Sequence, residues 1–324
     1  MALLLAESEV RALVPVADLV DVMERALASF SSGQVTQPVR ASVDMQRAFF
    51  GVMPAYVGAP PALGAKLVTV FSANAAKGLP ALYASIVLLD PETGALAAIM
   101  DGRYITAART AAVSAVAVRH LSPSGPQALA ILGSGVQARS HVEALTRIRS
   151  CREIRAWSPT PEHLARFVSD AHGLAEPPVR AAASAEEAVR DADVIVLATS
   201  SSTPVIQSDW VAAGALVISL GAYQPHMREM DPSLTARARV IVDLRAAALV
   251  EAGDIVQGIR EGLFTQAHIA GELGEIVLGR VPGRHSMDEV LIFKSLGMAV
   301  EDVAAAQLAY TRAVERRIGR ETSL

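Results

Sequence analysis

The sequence predicts an α/β protein in which a doubly wound parallel sheet follows a smaller α+β part. Three observations predict it. Short apolar runs alternate with helix-compatible segments through the second half of the chain. The first of those runs, residues 129–132, breaks into Gly133-Ser134-Gly135 directly before a helical segment. Residues 37–100 instead crowd five strand-like segments together, with a hairpin turn among them.

Residues 16–30 have the apolar spacing of a surface helix, which Ser31-Ser32-Gly33 closes. Strands are expected at 39–45, 48–54, 65–71, 84–89 and 95–100, and Asp90-Pro91-Glu92-Thr93-Gly94 reads as the hairpin connection. This part is therefore expected to be a mostly antiparallel sheet with one or two helices. A helix at 104–121 crosses toward the next domain, and Ser122-Pro123-Ser124-Gly125-Pro126 punctuates the join. Then come strand 129–132, helix 136–148, strand 153–157, helix 161–171 opened by Pro161, and helix 184–190, where Ser184 precedes Glu187 by three residues as in a capping box. Strands 193–198, 215–220 and 238–243 continue the alternation, followed by a helical stretch at 267–278 and a last strand at 291–294. The Ala-rich segment 295–318 predicts a closing helix long enough to return to the first domain. The domains are thus expected at 1–121 with 295–324, and at 122–294.

The 324 residues suit about two domains with real cores. A net charge of −4 gives no basic field for nucleic acid. The single cysteine, Cys151, makes no internal disulfide, and no Cys/His pattern has metal spacing. The opening Met-Ala-Leu-Leu-Leu lacks a basic flank and runs into Glu7 and Glu9, unlike a secretion signal. No apolar run reaches the length of a membrane span. A cytoplasmic protein with no metal, membrane or nucleic-acid partner is expected.

Gly133-Ser134-Gly135-Val136-Gln137-Ala138 is a place for phosphate. Two glycines let the backbone turn sharply and approach an anion, and the unpaired N–H groups of the first helical turn point at it. Ala138 stands where the dinucleotide pattern has its third glycine, a position that needs only a small side chain. In doubly wound sheets the ligand lies beyond the carboxyl ends of the strands, here Gly133 to Gln137, Ser158-Pro159-Thr160, Thr199-Ser200-Ser201-Ser202 and Gly221-Ala222-Tyr223. Ser158 occupies the place of the carboxylate that binds the ribose hydroxyl of NAD, which favours NADPH over NADH, with Arg139 and Arg166 as candidate phosphate partners.

Three cations stand in apolar surroundings: Arg40, Lys66 and Arg109. Lys66 follows Leu63 and precedes Leu67-Val68 in an expected strand, where burial would lower its pKa and make it an acid or base near neutrality. Its structural alternative is to snorkel or to pair with a carboxylate. Arg40 and Arg109 offer planar forks for a substrate carboxylate or, alternatively, for structural ion pairs. Glu251, just before Ala252-Gly253-Asp254, is a further candidate, with a turn or capping role as the alternative.

The stretches Gln37 to Arg40, Gly51 to Tyr56, Lys66 to Thr69, Met100 to Gly102 with Ile105-Thr106, Arg109 to Ala112, Gly133 to Ala138 and Phe293 to Asp302 resemble the ornithine cyclodeaminase/μ-crystallin family along nearly the whole chain. The resemblance implies a Rossmann domain inserted between an N-terminal sheet domain and a C-terminal helix that completes it, with homodimerisation through the sheet domain. It implies that Arg40, Lys66 and Arg109 hold a substrate carboxylate, that Lys66 donates or relays a proton, and that Glu251 lines the ligand pocket. On this basis the expected cofactor residues are Thr110, Gly133, Ser134, Gly135, Val136, Gln137, Ser158, Thr160, Thr199, Ser200, Leu220, Tyr223 and Lys294. The family's cyclodeaminases carry an Asp after Gly-Gly, and here Gly221-Ala222-Tyr223 puts Tyr223 in its place. The wording is closest to μ-crystallin-type ketimine reductases. The expected reaction is reduction of Δ1-pyrroline-2-carboxylate or Δ1-piperideine-2-carboxylate by NADPH or NADH. The alternatives are ornithine cyclodeamination, an alanine or N-alkyl amino acid dehydrogenase, and a non-catalytic protein that binds a small ligand.

Overall fold

Alternation of buried and open residues along two eleven-residue strands builds the N-terminal sheet. In the computed structural model, which describes residues 1–45 and 48–323, the chain begins with β1 (Ala2–Leu5), α1 (Glu7–Leu13) and α2 (Val16–Ser31). It continues through β2 (Val35–Thr36), β3 (Ala41–Asp44), β4 (Ala48–Gly58), β5 (Pro61–Phe71), β6 (Leu82–Leu89) and β7 (Leu96–Asp101) into α3 (Arg103–Leu121). Next come β8 (Gln127–Leu132), α4 (Val136–Ile148), β9 (Cys151–Trp157), α5 (Pro161–Asp170), β10 (Val179–Ala181), α6 (Ala185–Val189), β11 (Val194–Leu197) and β12 (Leu216–Ser219). Then follow α7 (Pro232–Arg237), β13 (Arg239–Val242), α8 (Arg245–Glu251), α9 (Gly253–Arg260), β14 (Ile269–Glu272), α10 (Leu273–Val277) and β15 (Leu291–Lys294). The long helix α11 (Ala299–Arg316) and β16 (Arg320–Thr322) close the chain.

Two units result, Met1–Arg109 with Met298–Leu324, and Thr110–Gly297. The division falls inside α3, earlier than the Ser122–Pro126 punctuation. The reason lies in the second half of that helix: Ser114 bonds His141 of α4, and the Leu121 carbonyl accepts from Arg284, so both belong with the second unit.

In the first unit the sheet order is β16-β1-β7-β6-β5-β4-β2, with β3 also on β4. Its neighbours are antiparallel except β1 and β7. α11 covers one face, packing on β4, β5 and β6 and beside α1 and α2. Met53, Ala55, Ala62, Val68, Ile86 and Leu88 are buried on these strands. The opposite face leaves Tyr56, Leu67 and Tyr83 exposed, with Val52 and Val87 half-buried.

The second unit is a fully parallel sheet in the order β10-β9-β8-β11-β12-β15-β13-β14, as expected of a doubly wound fold. Every residue of β8, β11, β12 and β15 is buried, which is why these strands read as continuous apolar runs. No helix among the described residues is long and apolar enough to cross a membrane.

Several elements differ from expectation. The stretch 267–278 is not one helix: β14 occupies its middle and pairs with β13 before α10 begins. The closing helix starts at Ala299, not at 295. β4 runs to Gly58 and β5 begins at Pro61, beyond the expected strands 48–54 and 65–71, and both Pro54 and Pro61 are accommodated within them. Pro54 falls between the parts of β4 that pair with β3 and with β2, where that edge has no ladder to lose. The short elements β1, α1, β10, α7, α8 and β16 carry too little periodicity to stand out, and α9 is absent from the expected elements although Ile255, Val256 and Ile259 have helical spacing.

Candidate active site

In β5, Gly64, Lys66 and Val68 share the buried face that α11 covers, so the strand period carries a lysine into the core. Lys66 is 1% exposed and Arg109, on α3, is 4% exposed. Their partners come from the first turn of α11. Lys66 Nζ lies 2.6 Å from Asp302 Oδ2. Arg109 donates through Nε to Asp302 Oδ1 at 3.0 Å and through Nη1 to Glu301 Oε2 at 2.7 Å. Both carboxylates are fully buried, and the helix N-terminus favours their charge. Burial pulls the Lys66 ammonium down from 10.5 to about 8 despite the opposing attraction of Asp302, and the charges of Arg109 and Arg40 add to the lowering. Arg40, half-buried in the segment before β3, is therefore within electrostatic reach of Lys66. The first unit thus brings together all three cations singled out in the sequence. For Arg109 the ion-pair use is the one observed, and for Lys66 the carboxylate partner is Asp302.

In the second unit the turn after β8 has the geometry of an anion cradle. Gly133 has φ +120°, and a Cβ there would stand 2.3 Å from the Ala198 carbonyl oxygen. Gly135 is the N-cap of α4 and offers no side-chain cap, while a Cβ on it would meet nothing within 4 Å. Open space therefore lies over the uncapped N–H groups of this helix, whose first residue, Val136, is 70% exposed. Gln137 Oε1 is buried without a hydrogen-bond partner. Ala138 is fully buried, so the small side chain at the third position of the motif serves helix-to-sheet packing. An open, uncapped helix start under a glycine turn fits a dinucleotide pyrophosphate.

The neighbouring strand ends extend this edge. Ser134 donates to Ser158 Oγ at 3.0 Å, tying the turn to the end of β9, and Thr160 is the N-cap residue of α5. Arg139 donates to the Asp170 carbonyl at 2.7 Å. Thr199 and Ser200 follow β11, and Leu220 follows β12. Tyr223 is half-buried against the core below the sheet, next to Ala222, which adopts φ +48°. Thr110 is buried on α3, and Glu251 ends α8, half-buried. Lys294, at the end of β15, is 0% exposed. Its Nζ donates to Ser219 Oγ at 2.9 Å and to the Gly221 carbonyl, which places the ammonium beneath the 219–221 turn.

Sequence reasoning missed Glu301 and Asp302 as partners, although both fall in the family-like stretch at 293–302. It also missed the buried carboxylate Glu229 below the strand ends. For Asp254 the partners are distant rather than local: Oδ1 accepts the Glu229 and Met230 N–H groups, which lie before α7. No group of three or more His, Cys, Asp or Glu among the described residues is arranged to hold a metal.

The sequence profile of the ornithine cyclodeaminase/mu-crystallin family matches residues 1–317. The chain is 45% identical to ketimine reductase mu-crystallin of Rattus norvegicus over 297 residues, 90% of this chain and 91% of that one. It superposes with a TM-score of 0.96 on Thermococcus litoralis Delta(1)-pyrroline-2-carboxylate reductase in complex with NADH and L-proline, at 33% identity over 99% of this chain and 100% of the other. An archaeal alanine dehydrogenase dimer with bound NAD matches with a TM-score of 0.93 and 29% identity, covering 100% of this chain and 99% of that one.

Proposed function

Because the chain belongs to the ornithine cyclodeaminase/mu-crystallin family, we propose that it reduces a cyclic ketimine carboxylate, Δ1-pyrroline-2-carboxylate or Δ1-piperideine-2-carboxylate, to proline or pipecolate with NAD(P)H. The observation that carries this reading is the buried Lys66–Asp302 pair flanked by Arg109 and Arg40, in a chain whose relatives include a ketimine reductase and a pyrroline-2-carboxylate reductase. Residues 133–137 with Ser158, Thr160, Thr199, Ser200 and the backbone at Leu220 and Tyr223 would hold a reduced nicotinamide dinucleotide, which when bound would supply a hydride for the C=N carbon.

The chain's own residues do the rest. Arg40 attracts the substrate carboxylate. Lys66 neutralises the same charge and delivers a proton to the imine nitrogen, whose protonation makes the adjacent carbon a better hydride acceptor. Asp302 opposes desolvation and keeps Lys66 charged at neutral pH. Arg109, with Nε and Nη1 on the two carboxylates, fixes Asp302 and contributes its positive field. Tyr223 has no carboxylate with which to take up a substrate ammonium proton, which weighs against cyclodeamination.

NADPH is the preferred reductant, because Ser158 leaves no carboxylate at the end of β9 to repel a 2′-phosphate. The protein is a homodimer joined through the outer face of the first sheet, a reading supported by the exposed Tyr56, Leu67 and Tyr83. It works in the cytoplasm, consistent with a single cysteine.

The test is oxidation of NADPH and of NADH with each cyclic imine, run beside ornithine plus NAD with ammonia detection. Imine-dependent oxidation without ammonia from ornithine is expected. Ammonia and proline from ornithine would overturn the choice of reaction.

A further inference from the structure

Beneath the ends of β11 and β12 lies a carboxylate that the proposed chemistry does not use. Glu229 is 0% exposed. Its Oε1 accepts the Thr199 backbone N–H at 2.9 Å and the Thr199 hydroxyl at 2.7 Å, and its Oε2 accepts from Ser219 Oγ at 3.0 Å. Thr199 stands at the end of one strand and Ser219 at the end of its neighbour, so one carboxyl group braces two adjacent strand ends. The packing is tight enough to dictate a glycine. A Cβ on Gly221 would sit 2.3 Å from the Thr199 carbonyl oxygen and 2.5 Å from Glu229 Cδ. Lys294 completes the arrangement by donating to Ser219 Oγ and the Gly221 carbonyl.

We propose that Glu229 is a positioning residue for the nicotinamide dinucleotide, a proton-sensitive brace that holds the Thr199 and Ser219–Gly221 backbone in the form that binds the cofactor. This rests on the dinucleotide reading of the second unit. The ionisable groups facing Glu229 are Lys294 from β15 and Asp254 from α9. Asp254 accepts the Glu229 N–H at 2.9 Å, and its Oδ2 lies 3.7 Å from Lys294 Nζ. Burial pushes the Glu229 carboxyl up to about 7, Lys294 pulls it down and Asp254 pushes it up again.

The ionised and neutral forms are not equivalent as braces. The carboxylate accepts all three hydrogen bonds at once. Once protonated, Oε2 must become a donor, so the Ser219 hydroxyl has to turn and accept both this proton and the Lys294 N–H. The carboxylate form therefore fixes the two strand ends more tightly, and cofactor affinity rises as pH passes upward through the Glu229 titration. The substitution Glu229→Gln would keep the shape and the two Thr199 bonds but leaves an amide that cannot ionise.

The experiment is titration of the whole protein with NADH, whose phosphates do not titrate near neutrality, followed by nucleotide fluorescence from pH 6 to 8.5. Wild type should bind more tightly with rising pH, with a midpoint near 7. Glu229→Gln should bind with an affinity that no longer varies over that range. Glu229→Ala should bind about tenfold more weakly at pH 8. A group that serves stability alone would lower the melting temperature and leave the pH profile of binding in place. A Glu229→Gln protein with the wild-type pH profile overturns the proposal even if the Ala variant fails to fold. A wild-type protein that binds no NADH or NADPH at any pH overturns the dinucleotide reading instead, which separates the two failures.

Discussion

At Lys66 two opposed electrostatic effects meet. Loss of hydration favours the neutral amine, while Asp302 at 2.6 Å favours the ammonium. Desolvation wins in part, and a shift from 10.5 to about 8 is worth roughly 3 kcal/mol in favour of the neutral form. The proton-donating form still dominates below about 8, so kcat/KM for imine reduction should be level below that value and fall about tenfold per pH unit above it. Lys66→Ala should lose at least about a hundredfold in kcat with NADH affinity unchanged, measured by steady-state kinetics and nucleotide titration. Retained turnover would remove Lys66 from the chemistry. Asp302→Asn takes away the attraction that resists desolvation, so the alkaline limb of the pH profile should move to lower pH. An unmoved limb would mean that Asp302 serves only the fold. Lys66 itself was legible in the sequence, because a lysine in an apolar strand is out of place. Asp302 was not: the pairing is made by sheet-to-helix packing between distant segments, and nothing local in Val300-Glu301-Asp302 distinguishes these carboxylates from an ordinary first helical turn.

Among elements, the β8–α4 turn is the one whose sequence and geometry correspond most directly. Its residue types were readable because a backbone at φ +120° admits little but glycine, and the constraint is written at that position. Gly133→Ala should cost at least about 2 kcal/mol and weaken dinucleotide binding, since the new methyl meets the Ala198 carbonyl at 2.3 Å in a backbone region closed to alanine. Chemical denaturation together with NADH titration checks this, and an unaffected variant would mean that the turn relaxes freely. The start of α6 was equally plain: Ser184 Oγ accepts the Glu187 N–H at 3.0 Å, as the spacing implied. β14 was misread because a four-residue edge strand, Ile269-Ala270-Gly271-Glu272, is too short to display a period, and the helix-compatible residues after it merged with it. Asp231 caps α7 ahead of Pro232, a signal present in the sequence that the apolar pattern alone does not register.

For the whole molecule, the sequence carried the two-part plan because the two sheets obey different burial rules. Strands covered on both faces become apolar throughout, and strands with one open face alternate. The open face of the first sheet then bears on assembly. Leu67, exposed beside the buried Lys66 on the interior strand β5, should tolerate a charge in a monomer but not inside a sheet-to-sheet interface. On the proposed homodimer, Leu67→Glu is expected to give monomers in sedimentation velocity, and a variant that still sediments as the wild type would count against this face as the interface. The border between units was harder to read, since α3 passes through it without a break and only the partners of Ser114 and Leu121 reveal the change. The position of β15 reaches beyond the finished protein. This strand is synthesised after β12 and β13 yet lies between them, pairing with both along Leu291–Lys294. A nascent chain that has not yet released these residues from the ribosome holds two incomplete sheets, β10 to β12 and β13 to β14, each ending in a bare, largely apolar edge of the kind that chaperones cover. Assembly of the second unit must therefore wait until β15 has been made, and the order in which its strands are made is not the order in which they join.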